Sequence, residues 1–296
     1  MHMPMKHMPH RRAVDYTRRR HFSEQVIARI LGNGWMPALA QRLGIDAPLR
    51  LDHYTLTLPV LQGLPPLRLA FAADFHAGPS THPRTLARAS QALRTLQPDV
   101  LLLGGDFVSL HERYIEPLAT ALGHIPAPFG RYAVLGNHDL WADDLVIEQR
   151  LAQADVQVLV NQHWQLPAPY DRIWICGLDD PGSGRPNARA MFAGTGDTRI
   201  VLMHSPDGLA SIQGERFALA LCGHTHGGQI CLPGGHPIRR PHGRLSRKYI
   251  AGHFLVGAYA SQHLIVSRGV GYGGIPLRLF APPDIVVCTL VGYTDN

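Results

Sequence analysis

Cysteine is scarce in this sequence: Cys176, Cys222, Cys231 and Cys288 are the only four among 296 residues, and none form a CxxC pair. That scarcity excludes a disulfide framework and points to a reducing compartment. Long apolar runs are missing too. No stretch reaches the roughly 18 to 20 uninterrupted apolar residues of a spanning helix. The nearest, residues 26–43, is broken by Arg29, Gly32, Asn33, Gly34, Gln41 and Arg42. Such a segment suits lying on a membrane, not crossing it. No apolar run leads into a small-residue cleavage site, so secretion is not expected. There is no repeat of fixed period, no low-complexity tract and no linker between independent domains. Acidic residues are thin only at one end: 28 basic side chains face 22 acidic ones, for a net charge of +6. Residues 1–30 hold Lys6, Arg11, Arg12, Arg18, Arg19, Arg20 and Arg29 against Asp15 and Glu24, which is five of those six charges.

The remainder is close to neutral. With 45% hydrophobic and 17% charged residues it has the composition of a chain that buries a large core. The expected organisation is a basic segment over residues 1–50 and one folded domain over 51–296. A basic head on a neutral body predicts contact with an anionic surface, with a solvated terminus as the plain alternative. A nuclease is disfavoured, because the basic residues are confined to that head and one loop, and no aromatic residue is interleaved among the arginines of 237–247 to stack bases.

From residue 67 the pattern is regular. Residues 67–73 (LRLAFAA), 99–103 (DVLLL) and 132–135 read as buried strands, and 83–97 and 115–122 as helices, the first opened by Pro83. Alternating strand and helix predict a parallel sheet flanked by helices. Residues 173–176, 200–203 and 217–222 read as further short strands. The closing strands 254–259, 263–267 and 284–290 lack long helices between them, which predicts a second, more antiparallel sheet packed on the first.

Ligands of open α/β sheets bind beyond the carboxyl ends of strands. At those ends stand Asp74-Phe75-His76, Gly104-Gly105-Asp106 and Gly136-Asn137-His138-Asp139, followed by His204 and by Gly223-His224-Thr225-His226. Asp74 and Asp106 are 32 residues apart and Asp106 and Asn137 are 31 apart, one βα unit each, so the turns share one edge. Two Asp, one Asn and four His make seven oxygen and nitrogen donors without a thiolate, too many for one ion and suited to two divalent cations sharing a carboxylate.

In this order DxH, GD, GNHD, a lone His and GHxH resemble the calcineurin-like metallophosphoesterases, over about residues 67–290. GHTHGGQ (223–229) and SRGVGYGGIPLRLFAPPDI (267–285) are similar to a bacterial branch with phosphodiesterases and UDP-2,3-diacylglucosamine pyrophosphatases of lipid A synthesis. Members of that branch often begin with a membrane-spanning helix, a pattern from which this chain departs. The resemblance implies an α/β fold: a four-layer αββα sandwich of two mixed sheets flanked by helices. It implies Asp74, His76 and His226 on one metal, Asn137, His204 and His224 on another, and Asp106 between them. The metals would be Mn, Fe, Zn or Mg, and a hydroxide between them would attack phosphorus. It also gives His138 a role at a phosphate oxygen or the leaving group, with Asp139 fixing its ring.

Arg239, Arg240 and Arg244, in the acid-free stretch 237–250, are candidates to grip a second phosphate or a lipid headgroup. Arg268 and Arg278 are further candidates, and the loop at Asp179, Asp180, Gly182, Gly184 and Arg185 is expected to border the cleft. The expected partner is a phosphoester or pyrophosphate substrate, lipid-linked in one reading and a soluble nucleotide in the other. Location is expected in the cytoplasm or at the inner face of its membrane. A binding scaffold that has lost its chemistry would have replaced ligands, and every ligand type is present.

Overall fold

In a computed structural model, residues 13–15, 22, 26, 29–30, 34–42, 47–257 and 262–293 are described. Most of the basic head, Arg18 to Arg20 included, lies outside the described residues.

Two six-stranded mixed sheets form the core of the fold. The first contains β1 (Arg50–Thr57), β2 (Leu67–Ala72), β3 (Val100–Leu103), β4 (Arg131–Ala133), β5 (Gln157–Val158) and β14 (Asp284–Val291), in the order β1-β14-β2-β3-β4-β5. The second contains β6 (Gln162–Gln165), β7 (Ile173–Gly177), β8 (Thr198–Leu202), β9 (Leu219–Cys222), β12 (Gly252–Val256) and β13 (Gln262–Val266), in the order β12-β13-β9-β8-β7-β6. A small hairpin, β10 (Cys231–Leu232) with β11 (His236–Pro237), stands apart from both.

Side-chain alternation sets the layers. In β2, Leu67, Leu69 and Phe71 face the second sheet, while Ala70 and Ala72 face the helices Pro83–Leu96, Ile115–Gly123 and Asp144–Gln153. In β14, Val286, Cys288 and Leu290 take the inter-sheet side and Ile285 the helix side. A third cluster, with Met203, Ile212, Phe217 and Val266, covers the outer face of the second sheet with the helix Ala188–Phe192. The helix Pro83–Leu96 starts as its sequence predicts, with Pro83 in the first turn and His82 Nδ1 accepting from the Arg84 amide. It stops where Gln97 turns left-handed, at φ 44°.

The second sheet departs from expectation. Its centre, β13-β9-β8-β7, is parallel, and only the edge pairs β12·β13 and β6·β7 are antiparallel. The last strand, β14, leaves it altogether and inserts into the first sheet, antiparallel to β2 and parallel to β1. The physical reason lies in burial. β8 and β9 are apolar on both faces and therefore suit a covered parallel interior, and β14, buried from Asp284 to Cys288, needs a central place that the first sheet provides. All four cysteines are buried and unpaired. Among the described residues, no helix is long and apolar enough to cross a membrane.

Candidate metal centre

Parallel strands deliver their carboxyl ends to one edge. β2 runs into Asp74 and His76, β3 into Asp106, β4 into Asn137 and His138, β8 into His204, and β9 into His224 and His226. The loops are drawn together by their own backbone. The Asp74 amide donates to the Gly105 carbonyl at 2.9 Å, the His76 amide to the Asp106 carbonyl at 2.9 Å, and the Gly223 amide to the His204 carbonyl at 2.9 Å.

Five of these side chains leave backbones in the left-handed region: Asp74 (φ 54°), His76 (46°), Asp106 (53°), His224 (70°) and His226 (52°). Non-glycine residues adopt it at a cost, and clusters of such residues mark functional sites. Glycines make the close approach possible. A Cβ on Gly223 would strike Asp74 Oδ2, and one on Gly136 would strike Asp106 Oδ1.

Two ligand groups result, and one carboxylate touches both. Asp74, His76 and His226 converge in one and Asp106, His204 and His224 in the other, and an overlapping third set of His76, Asp106 and His138 joins them. Asp106 Oδ2 lies 3.4 Å from His76 Nε2 and 3.4 Å from His204 Nε2, while Oδ1 accepts from the His138 amide at 2.8 Å. Asn137 Oδ1 is 3.1 Å from His204 Nε2, completing the second group. Both oxygens of Asp74 accept from the His224 amide, at 3.1 and 2.9 Å.

The ring geometry suits cations. His204 donates Nδ1–H to the Gly104 carbonyl at 2.8 Å, which leaves Nε2 facing Asp106, Asn137 and His224. A second hydrogen bond of this kind orients metal-ligating imidazoles. Ring nitrogens meet at 3.1 Å between His76 and His226 and at 3.1 Å between His204 and His224, so that imidazole donor atoms from separate loops converge on one point.

Electrostatics agree. Burial, helped by neighbouring imidazoles, pushes His76 and His224 down to about 3, so both offer neutral lone pairs. Burial lifts Asp74 to about 7, with Asp106 adding to the effect. Asp106 is buried as well, yet the surrounding His204, His138 and His76 hold it well below the usual carboxylate range. Against burial, Asp106, Asp74 and Asp180 draw His204 far above its ordinary value: this pocket of carboxylates demands positive charge. The donor set, carboxylate, amide oxygen and imidazole without thiolate, fits divalent cations.

The profile of the calcineurin-like phosphoesterase family matches residues 67–228. This chain belongs to that family. It is a phosphoester hydrolase, and phosphoesterases of this family use divalent metals. A metallophosphoesterase of Aquifex aeolicus, itself uncharacterized, is 30% identical over 257 residues, covering 82% of this chain and 92% of the relative. The phosphodiesterase YaeI of Escherichia coli is 32% identical over 245 residues, covering 76% and 83%. Among solved structures, a 5'-nucleotidase precursor from Thermus thermophilus is similar at 15% identity with a TM-score of 0.44, over 77% of this chain and 54% of that one.

In this phosphoesterase all seven expected donors lie in one cluster, with His138 beside them: its ring stands edge-on to His76 at 4.7 Å. Asp139 does not hold that ring. The Ser109 carbonyl does, 2.8 Å from His138 Nδ1, while Asp139 is buried and accepts from the amides of Val108 and Gly136 at 3.2 and 3.0 Å. Arg239, Arg240 and Arg244 are exposed, on a loop that leaves the centre through Pro237, packed on Gly228. Asp179 and Asp180 bind the backbone of their own loop, at Arg185 and at Gly182 and Ser183.

Arg268 and Arg278 are engaged within the fold. Arg268 pairs with Asp52 at 2.8 Å and Asp284 at 2.9 Å. Arg278 is 3% exposed and donates to the carbonyls of Arg268, Gly269, Gly271, Ala281 and His226. Its role as a clamp behind His226, like that of Ser109, escaped sequence reasoning. A carbonyl leaves no residue-type signature, and an arginine inside an otherwise apolar and glycine-rich motif (GYGGIPLRLF) is the only hint.

Proposed function

We propose that this phosphoesterase cleaves a phosphodiester or pyrophosphate bond in a lipid-linked substrate, of which UDP-2,3-diacylglucosamine is the type. The observation that carries the reading is the position of Asp106 Oδ2, 3.4 Å from a ring nitrogen of each ligand group, as a shared carboxylate requires. Asp74, His76 and His226 would hold one cation and Asn137, His204 and His224 the other, with Asp106 between. When bound, a pair of manganese, iron, zinc or magnesium ions supplies a nucleophile from water near neutral pH and neutralises charge at phosphorus.

The chain's own residues do the rest. His138 keeps Nε2 free because Nδ1 is engaged at Ser109, so this nitrogen is the candidate to protonate the leaving oxygen or to contact a phosphoryl oxygen. Asp139 acts on position: by holding the Val108 and Gly136 amides it fixes the turn that presents Asn137 and His138. Arg239, Arg240 and Arg244 offer guanidinium forks to a second phosphate. The lipid-linked choice is supported by the GHTHGGQ motif, and by solvent-exposed Phe22, Val26 and Ile30, with exposed Trp35 and Leu39 on the helix Trp35–Arg42. These suit the N-terminal segment to the membrane surface, and four buried, unpaired thiols suit its inner face.

The test is hydrolysis by metal-stripped protein restored with each cation in turn, comparing bis-p-nitrophenyl phosphate, p-nitrophenyl phosphate and a UDP-linked diacyl sugar. Diester or pyrophosphate cleavage is expected to exceed monoester cleavage. A monoester preference overturns the diesterase reading, and inactivity with every cation overturns hydrolysis.

A further inference from the structure

Beside the metal centre, five large aliphatic and aromatic side chains stand in water. Leu232, Ile238, Ile275, Leu279 and Phe280 are between 41% and 65% exposed. They come from two chain segments, the β10–β11 hairpin with its exit and the loop 271–281, and hydrogen bonds join these into one rim. The Cys231 amide donates to the Leu279 carbonyl at 2.9 Å, the Leu279 amide to the Gln229 carbonyl at 3.0 Å, and Gln229 Nε2 to the Ile275 carbonyl at 2.7 Å. The rim adjoins the site. Gly273, two residues before Ile275, sits so close to His226 Nε2 that a Cβ there would lie 2.9 Å from it.

This exposure is built, not frayed. Arg278, buried between Ile275 and Phe280, ties the loop through its carbonyl contacts at Gly269, Gly271 and Ala281. Phe280 itself is held at φ 52°, a left-handed conformation that an aromatic residue adopts only where the surroundings impose it, and its ring faces solvent. Contiguous exposed apolar surface of this kind marks an interaction site.

Charge selects the partner. Directly after Ile238 come Arg239, Arg240, Arg244, Arg247 and Lys248, all exposed, with no acidic residue in 237–250. Apolar tips beside cations match a lipid interface, where aliphatic groups enter the acyl boundary and guanidinium groups meet headgroup phosphates. Four of the five tips are aliphatic and offer no face on which a nucleic-acid base stacks. We propose that this rim docks on an anionic phospholipid surface and so seats the metal centre against the headgroup layer. What is hydrolysed there rests on the function proposed above; the docking itself does not.

The experiment is co-sedimentation of the full chain with phosphatidylcholine vesicles, with and without phosphatidylglycerol. Binding is expected with phosphatidylglycerol and is expected to fall steeply with salt. The double variant Ile238→Asn/Phe280→Ala should pellet at least fivefold less, with bis-p-nitrophenyl phosphate hydrolysis in free solution unchanged, which shows that it folds. As a second readout, Phe280→Trp should gain emission quenching by bromine-labelled acyl chains over the parent protein. Equal pelleting of parent and double variant, with the N-terminal segment alone responsible, overturns the proposal. So does the absence of quenching at position 280, or binding to a protein instead of vesicles. Vesicle binding without hydrolysis of any ester would remove the proposed function and leave the docking surface standing.

Discussion

The backbone amide of His138 donates to Asp106 Oδ1 across 2.8 Å. One oxygen of the shared carboxylate is thereby fixed by the chain segment that carries the candidate acid, and the other is left to face both histidine groups. Positioning of the candidate metal centre and of the candidate proton donor are therefore one structural event.

These two residues should still separate on mutation. His138→Ala removes a ring but keeps the amide that holds Asp106, so both cations are expected to stay bound while kcat falls about 10²- to 10⁴-fold, the usual worth of general acid assistance. Asp106→Ala removes the shared ligand and should empty the site. Metal content by elemental analysis, set beside kcat, decides it; equal metal loss in both variants refutes the division of labour.

Gly223→Ala should weaken metal binding without touching a ligand side chain. The new methyl would collide with Asp74 Oδ2. Overpacking of this kind costs about 1–3 kcal/mol, which corresponds to about 5- to 150-fold in affinity. Gly182→Ala, whose Cβ would meet Asp180 Oδ2 only at 3.4 Å, is the control. Competition titration with a chelating dye measures both, and parity between them would contradict the steric argument.

Arg278→Met is expected to destabilise the fold. Burial lowers its guanidinium only to about 10, so it stays charged at neutral pH, and its loss orphans several buried carbonyls. A buried group left unsatisfied costs about 1–3 kcal/mol, so a loss of about 3 kcal/mol or more in urea unfolding is expected. Near-normal stability would mean that water replaces the clamp.

Asp207 should give the protein an acid-dependent term. Burial would raise its carboxyl, but the Ser246 hydroxyl at 2.6 Å and the amides of Leu245 and Ser246 at 2.9 and 3.2 Å outweigh that and hold it below the ordinary carboxylate value. A depressed carboxylate contributes stability that is fully present above its unfolded-state value and is lost as pH falls through the folded one. Urea unfolding of parent and Asp207→Asn should therefore differ at pH 6 to 7, about two to three units above the free Asp value of about 3.9, and converge in acid. A constant difference at every pH would assign the effect to packing.

Much of the site is legible in the sequence because its chemistry prescribes residue types. Carboxylates, amides and imidazoles are the donor types that suit divalent cations at a site without thiolates, and a βα unit of about thirty residues returns each turn to the same edge, so the places of Asp74, Asp106 and Asn137 follow from their spacing. The helix Pro83–Leu96 was readable from its proline and its apolar period. β1 was not, since its exposed residues alternate with half-buried ones and it pairs only with β14, more than two hundred residues away. The partner of His138 was misread for a related reason: Asp139 is its neighbour in sequence, but the atom that reaches its ring is the carbonyl of Ser109.

By itself the sequence determined the candidate ligand types, their order along the chain and the strand ends that carry them, because these are properties of residue chemistry and of local periodicity. The tertiary structure alone decided that β14 crosses into the first sheet, that five candidate ligands sit on left-handed backbone, and that Arg278 clamps the loop behind His226. Those features arise from packing between segments far apart in the chain, where backbone carbonyls and buried volume, rather than residue type, select the partner.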